Sequence, residues 1–274
     1  MKDSYRICLI LPDNNPHSLC FREVGLLLVS ALKSNGINCD FAFNQLDPDK
    51  INVILGYHLL TFEPSLTNFR YIPYQLEQLH SNEYPFTKNM EQVLKHAYDV
   101  WDYSPKNIDF LKARGINAKH LVPGYHENLE LIPRVPNRSI DILFYGSIAE
   151  RRRVILEQLE RMFKVKLLFG VYGEKRDKWI SRSRLILNFH HYSQQIFEAV
   201  RISYLLNNRC FVLSETSVNY PYDGVELPLV PYDQLVESCA RFLKDPERMD
   251  TISSENYEAF KKNFPMTELI QKVL

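Results

Sequence analysis

Short runs of β-branched and aromatic residues alternate along this chain with longer segments in which apolar residues recur at helical spacing. Residues 51–55 (INVIL) are typical of the first kind, and residues 21–33 are typical of the second. The predicted strands are 6–11, 38–43, 51–55, 70–75, 99–103, 119–122, 140–145, 165–169, 184–189, 210–214 and 227–230. The predicted helices are 21–33, 105–114, 149–163, 174–181, 196–206 and most of the tail after 232. This alternation predicts an α/β protein with parallel sheets built from βαβ units.

A segment without periodicity interrupts the alternation near the middle of the chain. Residues 131–139 (LIPRVPNRS) contain two prolines, which is typical of a linker. We therefore predict two α/β domains, 1–135 and 136–274, and leave open whether the last helix packs back on the first domain. One long sheet is the alternative.

Composition restricts the class of protein. The chain has 274 residues, 33 Lys and Arg, and 33 Asp and Glu, so its formal net charge is zero. A general nucleic-acid binder needs an excess of cations, and we expect no nucleic-acid partner. The five cysteines have no paired spacing, no apolar run approaches membrane-span length, and the N-terminal segment is typical of a strand rather than a signal peptide. These features predict a cytoplasmic protein without a membrane span.

Positive charge is concentrated in one part of the second half. Residues 150–184 contain 11 Lys and Arg against 5 Asp and Glu. Such a local cationic zone in a neutral protein favours a small anionic ligand such as a diphosphate. The alternative is a set of ordinary solvated helix faces.

A strand, a glycine turn and a helix follow one another at 140–159. Gly146 and Ser147 come directly after the apolar strand, and Arg152 lies in the first helical turn with an arginine on each side. A helix N-terminus after a strand provides N–H groups and partial positive charge that suit phosphate. Neither a dinucleotide fingerprint nor a P-loop is present. The arginines could equally be surface residues.

Polar side chains also follow the strand predicted at 184–189. His190 and His191 come at its carboxyl end, the edge at which open α/β sheets bind ligands. Glu198 and Arg201 lie one helical turn apart, so they share a helix face. A carboxylate there could accept two hydrogen bonds from a ribose diol, or could simply pair with its own arginine. The two histidines lack the spacing of a zinc site, and we predict no metal.

Two candidate bases lie in the first half. His17 belongs to a long polar loop after the first strand, and Glu77 follows the fourth strand. An imidazole or carboxylate at that edge could act as a general base or bind a sugar hydroxyl. The acid-Pro-acid run at 47–49 has the form of a metal motif, but its proline and its place before a strand favour a turn.

Several of these segments resemble glycosyltransferases of the two-Rossmann-domain GT-B architecture, and more closely the bacterial glycosyltransferase-family-1-like proteins. The matching segments are FYGSIAERR (144–152), LLFGVYGEKRD (167–177), LILNFHHY (185–192), FEAVRISYLLNN (197–208), FVLSE (211–215), YDGVEL (222–227), INVILGYHLL (51–60), YQLEQL (74–79) and LVPGYHENL (121–129). The resemblance implies two domains that face each other across a cleft, the first on the acceptor side and the second binding a nucleotide sugar.

The resemblance also implies roles for individual residues. Glu198 would hold the ribose hydroxyls of the donor. The diphosphate would be faced by Gly146, Ser147 and Arg152, the nucleobase by the loop containing Val171 and Tyr172, and the phosphates or donor sugar by His190 and Arg201. His17 and Glu77 would face the acceptor, and one of them could be the catalytic base.

The function implied is a metal-independent glycosyltransferase that needs no cofactor. It would move a sugar from a UDP-, GDP- or dTDP-linked donor to a glycan, a peptide or a small molecule. The alternatives are a sugar-nucleotide-binding protein without transfer activity and an epimerase or phosphorylase on the same scaffold. The sequence leaves open the donor, the stereochemistry and the oligomeric state.

Overall fold

The computed structural model of the protein describes residues 3–79, 86–191 and 195–274. The chain divides into two compact units. The first contains Met1–Asn128 and Phe264–Leu274, and the second contains Leu129–Asn263. Each unit is built on its own parallel sheet, which confirms the predicted α/β class.

The first unit has a six-stranded sheet. Its strands are β1 (Tyr5–Leu9), β2 (Cys39–Phe43), β3 (Ile51–Leu55), β4 (Arg70–Gln75), β5 (Trp101–Asp102) and β6 (Lys119–His120). Its helices are α1 (Arg22–Ser34), α2 (Lys88–Lys95), α3 (Pro105–Lys112) and, from the end of the chain, a helix at Met266–Gln271. The order β2-β1-β3-β4-β5-β6 puts β3 in the interior of the sheet, where all five of its residues are buried. This explains its continuous apolar sequence.

The second unit has a five-stranded parallel sheet. Its strands are β7 (Ile140–Tyr145), β8 (Val165–Leu168), β9 (Ser183–Asn188), β10 (Val212–Glu215) and β11 (Leu229–Val230). Its helices are α4 (Glu150–Glu160), α5 (Gly173–Ser181), α6 (Ala199–Asn207), α7 (Leu235–Leu243) and α8 (Pro246–Asn263). Alternate residues of β7 and β9 enter a core with α4 and α7, including Ile142, Phe144, Leu185 and Leu187. That packing fixes where the carboxyl ends of these strands lie.

Among the α-helices of the described residues, α2 is the one that the hydrophobic pattern does not predict. Helix α2 is mostly polar, and only Met90, Val93 and Leu94 of its residues are buried. Its start is fixed by Thr87, whose side chain accepts a hydrogen bond from the N–H of Met90. Three apolar residues are too few to predict a helix from their spacing, even with a capping threonine before them.

The units divide seven residues earlier than the linker prediction places the boundary. Asn208, at the end of α6, donates to the carbonyl of Leu129 at 2.9 Å and accepts from the N–H of Ile132 at 2.8 Å. These bonds tie the start of the irregular segment to the second unit. The final helix, α9 (Met266–Gln271), contacts α1 and belongs to the first unit.

Two sequence expectations concern reactive groups. All five cysteines are free thiols, and Cys8, Cys39 and Cys239 are buried. Asp47 accepts a hydrogen bond from the N–H of Asp49 at 3.0 Å, so the acid-Pro-acid run forms a turn. Among the helices that the described residues form, none combines the length and the apolar character needed to cross a bilayer.

Candidate functional site

The strand order of the second sheet identifies one edge as the candidate site. In the order β11-β10-β9-β7-β8, the chain leaves β7 toward β8 on one side and returns to β9 on the other. At such a reversal the loops after the two central strands diverge and leave a crevice at their carboxyl ends. The residues after β7 begin with Gly146 and Ser147, and those after β9 include His190.

Glu198 is the centre of a hydrogen-bond network at this edge. Its two carboxylate oxygens accept from His190 Nδ1 at 2.9 Å and from Asn188 Nδ2 at 3.0 Å. Asn188 is fully buried at the end of β9, and its Oδ1 accepts from Arg201 Nη1 at 2.6 Å. The amide of Asn188 therefore bridges the glutamate and the arginine that share one face of the helix.

The contacts of His190 determine its protonation state. Its Nδ1 faces the carboxylate of Glu198, and its Nε2 lies 3.0 Å from the carbonyl oxygen of Thr216. Both partners can accept a hydrogen bond from the ring, an arrangement that favours the doubly protonated imidazolium. The Oγ atom of Ser217 lies 3.2 Å from the same Nε2.

The pKa values of the pair agree with this assignment. Burial lowers the pKa of His190, but the hydrogen bond and charge of Glu198, helped by Glu215, outweigh it and raise the pKa above 6.5. Burial raises the pKa of Glu198, but the bonds and charges of His190, Arg201 and Asn188 outweigh it and the pKa is lowered. The two shifts both favour the charged forms of the pair. His190 is fully buried, so its predicted place near the phosphates or donor sugar stays a prediction.

A second buried carboxylate lies beside the first. Glu215 lies at the end of β10 and is 1% exposed. Its carboxylate accepts hydrogen bonds from both Nη atoms of Arg151, and the bond from Nη1 measures 2.7 Å. The same carboxylate accepts from the backbone N–H of His190 at 3.1 Å. The guanidinium of Arg151 lies 4.0 Å from the ring centre of Tyr232, whose hydroxyl donates to the Arg151 carbonyl at 2.6 Å. The pair links α4, β9 and β10 at the edge.

Arg152 holds the loops of the candidate site together. It is 3% exposed and donates to the carbonyl of Phe189 from Nη2 at 2.7 Å and to that of Ser147 from Nη1 at 2.9 Å. Its predicted role at a diphosphate stays a prediction. The contacts present are those of a residue that fixes the loop after β7 against the end of β9.

Gly146 permits the close approach of the two guanidinium groups. Its φ is +141°, and a Cβ added there would lie 3.0 Å from Arg201 Nη2 and 3.4 Å from Arg152 Nη1. A side chain at this position would be strained and would displace Arg201. The absence of a side chain at Gly146 thus lets two guanidinium groups lie close to the backbone of this loop.

The other predicted donor residues lie at the same edge. The Oγ of Ser147 is 3.3 Å from His191 Nδ1. Val171 and Tyr172 are half-buried in the loop after β8, the strand next to β7. Counting His190 as charged, the cluster of Arg151, Arg152, His190, Arg201, Glu198 and Glu215 has four positive and two negative groups. The excess of two positive charges suits a dianionic ligand.

The two candidate bases lie in the first unit. His17 is exposed in a short 3-10 turn after β1, where its backbone N–H donates to the side chain of Asn15. Glu77 follows β4 and is half-buried, and burial raises the pKa of its carboxyl to about 7. A carboxyl that titrates near neutrality can exchange a proton at physiological pH. Both residues follow carboxyl ends of strands in one parallel sheet.

Sequence reasoning missed the Arg151–Glu215 pair. Arg151 is one of three consecutive arginines, and Glu215 is the charged residue that ends an apolar strand. A charge at the carboxyl end of a buried strand was the available signal. Its partner, 64 residues away, depends on the strand order.

No protein-family model matches the sequence. Two uncharacterized proteins of Acanthamoeba polyphaga mimivirus are similar to it: L137, 25% identical over 301 aligned positions, and L140, 25% identical over 229. The alignments cover 97% and 77% of this chain. The chain spans only 40% of the length of L137 and 73% of that of L140. Both relatives are viral, so they do not support the bacterial origin that the sequence resemblance suggested.

Solved structures match the fold over nearly the whole chain. T4 phage β-glucosyltransferase in complex with UDP and Mn2+ has a TM-score of 0.61 at 10% identity, covering 98% of both chains. The fold is that of the GT-B glycosyltransferases. A structure of the DNA-modifying enzyme β-glucosyltransferase gives a TM-score of 0.61 at 11% identity, again with 98% of both chains covered. TarM of S. aureus in complex with UDP gives 0.57 at 11% identity, covering 83% of this chain and 55% of that one.

The Mn2+ in one GT-B structure prompts a test of the carboxylates here. Glu198 is bonded to His190 and Asn188, and Glu215 is bonded to Arg151 and a backbone N–H. Carboxylates neutralised in this way do not form the oxygen-rich, anionic ligand set that a divalent cation prefers. Within the described ranges, no group of three or more His, Cys, Asp and Glu residues is arranged to hold a metal.

Proposed function

We propose that this protein is a glycosyltransferase that uses a nucleotide-diphosphate sugar as donor. The observation that carries the proposal is the charged cluster at the strand reversal of the second sheet, where Glu198 is fixed by an imidazolium beside an excess of arginines. The GT-B fold supports it, since T4 phage β-glucosyltransferase and TarM with that fold were both solved with UDP. Each step below belongs to this proposal.

Glu198 binds the ribose. Each of its oxygens accepts one hydrogen bond from the protein, and a carboxylate oxygen can accept about two. The side chain is 17% exposed, so part of it is accessible. The two hydroxyls of a ribose could each donate to one oxygen. The bonds from His190 and Asn188 hold the carboxylate in the orientation that this requires.

The diphosphate lies against the loop at Gly146 and Ser147. Arg201 approaches the backbone there, and a dianion balances the excess positive charge of the cluster. When the bond to the sugar breaks, negative charge increases on the departing diphosphate, and preorganised cations lower the energy of that state. The loop containing Val171 and Tyr172 follows the neighbouring strand β8 and contacts the nucleobase.

The transfer is metal-independent in this proposal. The guanidinium groups of Arg201 and its neighbours supply the charge stabilisation that a cation provides elsewhere. The engagement of Glu198 and Glu215 by protein cations supports this. Adding EDTA should leave turnover unchanged, whereas loss of turnover that Mn2+ restores would contradict it.

The acceptor is activated from the first unit. In an inverting reaction, a base removes the proton of the acceptor hydroxyl, the oxygen forms a bond to the anomeric carbon, and the bonding electrons to the donor oxygen leave with the nucleoside diphosphate. Glu77 is the stronger candidate for the base because its pKa of about 7 lets it be ionised at neutral pH and still accept a proton. His17 is the other candidate, and a retaining enzyme would need neither.

The acceptor is a glycan, a peptide or a small molecule. The zero formal charge of the chain disfavours a polyanionic acceptor. A DNA acceptor is the competing possibility, because a DNA-modifying β-glucosyltransferase has the same fold over 98% of both chains. Radiolabel transfer from UDP-glucose to duplex DNA, to glycans and to a small-molecule pool would separate these classes.

A thermal-shift panel of UDP-, GDP-, dTDP- and CMP-sugars tests the proposal. A bound donor raises the unfolding midpoint, and the panel identifies the nucleotide. The shift should be much smaller in Glu198→Ala than in the wild type and should persist in Glu157→Ala, an exposed glutamate of the same unit. Absence of a shift with every nucleotide sugar would contradict donor binding. Binding without release of nucleoside diphosphate would favour the sugar-nucleotide-binding alternative.

A further inference from the structure

A buried polar cluster lies at the carboxyl ends of β4 and β5 in the first unit. Gln75, Asp102 and Asn107 are all fully buried. Gln75 and Asp102 are register partners on neighbouring strands, so their side chains leave the sheet on the same face. The cluster is separate from the charged residues of the second unit, and nothing in the proposed chemistry uses it.

Two side-chain amides of this cluster hold the backbone of Glu77. The carbonyl oxygen of Glu77 accepts from Gln75 Nε2 at 3.1 Å and from Asn107 Nδ2 at 2.8 Å. The Oδ1 of Asn107 accepts from the N–H of Leu79 at 3.2 Å. The segment that carries Glu77 is therefore fixed by side chains at both of its ends, where a loop would otherwise be bonded to water.

Asp102 contacts one of these two amides directly. Its Oδ1 accepts from the N–H of Ser104 at 2.7 Å and from Asn107 Nδ2 at 3.1 Å. Its Oδ2 and the Oε1 of Gln75 are both buried acceptors, and neither has a donor among the described residues. Turning the Gln75 amide over would bring its oxygen against the Glu77 carbonyl, so rotation does not resolve the conflict.

A proton on Oδ2 of Asp102 would supply the donor that these two buried oxygens lack. A protonated Asp102 has one donor, and Gln75, its register partner on the neighbouring strand, has a buried oxygen that needs one. Burial raises the pKa of Asp102 well above its usual value, and the bonds from Ser104 and Asn107 lower it too little to compensate. Among the described residues, no charged side chain contributes to the pKa of Asp102 or of Glu77.

We infer that Asp102 is a neutral carboxylic acid that donates to Gln75, and that Asp102, Gln75 and Asn107 together form a positioning group for Glu77. The catalytic part of this inference rests on the proposed function, because it takes Glu77 as the base. The structural part does not. The group keeps Glu77 half-buried, and removing it would let the segment relax into water.

Carboxyl 13C NMR titration of the full chain tests both parts. In the wild type, the Asp102 carboxyl should stay protonated through neutral pH and Glu77 should titrate near 7. Asp102→Asn keeps one acceptor and gains the donor to Gln75, so the titration of Glu77 and the unfolding midpoint should be unchanged. Asn107→Ala and, as a second variant, Gln75→Met each remove one bond to Glu77, so its pKa should fall toward the usual 4.5.

Matched controls are Asp109→Asn and Asn68→Ala, exposed residues of the same unit. An Asp102 carboxyl that titrates near its usual value, or an Asp102→Asn variant as unstable as Asp102→Ala, would overturn the neutral assignment. A Glu77 pKa that is unchanged in both folded amide variants would overturn the positioning role.

Turnover of UDP-glucose, followed as UDP release, separates this inference from the proposed function. Asn107→Ala should lower kcat by about 100-fold with little change in KM, because a displaced base costs rate and not donor affinity. The exposed control Asp109→Asn should keep the wild-type rate. A wild-type chain with the expected titrations but no turnover with any nucleotide sugar would refute the proposed function and leave the positioning group intact.

Discussion

The Nδ1 atom of His190 lies 2.9 Å from Oε1 of Glu198, and the opposite ring nitrogen faces a carbonyl oxygen. The imidazole is therefore held between two acceptors in the interior of the second unit. This relationship joins the protonation of one residue to the orientation of the other. It makes the stability of the unit depend on pH in a definite direction.

Replacing His190 by Gln tests that dependence. The raised pKa of His190 contributes stability that is complete below about 6.5 and is lost as pH rises through the folded-state pKa. The lowered pKa of Glu198 contributes stability that is complete above 4.5 and is lost as pH falls through its folded-state pKa. The wild type should exceed His190→Gln most between pH 4.5 and 6.5. Urea unfolding across pH 4–9 measures this, with His96→Gln as control, and a difference that grows above pH 7 would contradict it.

Removing the Glu198 carboxylate should weaken nucleotide binding. Two hydrogen bonds from a ribose to a carboxylate are worth about 10- to 100-fold in the UDP dissociation constant. Glu198→Ala also leaves His190 without its main partner, so the unfolding midpoint must be recorded with each binding measurement. Calorimetry with UDP on Glu198→Ala, Glu198→Gln and the exposed control Glu157→Ala gives the comparison. Equal affinity in a folded Glu198→Ala variant would remove the ribose assignment.

The adjacent arginines of α4 offer a matched pair of variants. Arg151 neutralises Glu215, which is 1% exposed, whereas Arg153 is 57% exposed and pairs with the exposed Glu150. Arg151→Met leaves a buried carboxylate uncompensated and should cost about 3–5 kcal/mol in the free energy of unfolding. Arg153→Met should cost less than about 1 kcal/mol. Urea unfolding compares them, and similar losses in the two variants would show that the buried pair is not special.

The contact of Glu198 with His190 could be expected from the sequence, whereas the contact of Glu215 with Arg151 could not. Glu198 and His190 are eight residues apart, at the end of one strand and the start of the next helix, so βα geometry alone brings them to one edge. Arg151 and Glu215 meet because the strand order β10-β9-β7 brings the end of β10 near the helix that follows β7. Strand order is set by long-range packing, which no local pattern records.

Whether an element could be predicted from the sequence depended on how strong its local hydrophobic pattern is. The sequence predicts β3, β4 and β7 with the bounds observed, because β-branched and aromatic residues make up at least half of each short run. Helix α2 is held by Thr87 and three buried residues, a signal too weak beside its polar composition. The cluster around Asp102 was not predictable, since a buried aspartate in sequence looks the same as an exposed one.

Gly146→Ala separates close approach from backbone strain. Both Gly146 and Gly115 have positive φ, but a Cβ at Gly115 would meet nothing within 4 Å, while one at Gly146 would lie 3.0 Å from Arg201 Nη2. Each substitution should cost about 1–2 kcal/mol of stability through strain. Only Gly146→Ala should also weaken UDP binding, because it displaces Arg201. Calorimetry with UDP on both variants checks this, and unchanged affinity in Gly146→Ala would place the diphosphate elsewhere.

The choice between the two candidate bases can be made from a pH profile. A base must be ionised to accept a proton, so if Glu77 acts, turnover should rise as pH increases through about 7 and level off above it. Glu77→Gln keeps the shape of the side chain but cannot accept the proton, and it should lower kcat by about 100- to 10,000-fold and abolish the rise. His17→Asn should retain both the rate and the profile. The reverse pattern would make His17 the base, and full activity in both variants would favour a retaining reaction, in which the departing diphosphate, and not a side chain of the first unit, takes the acceptor proton.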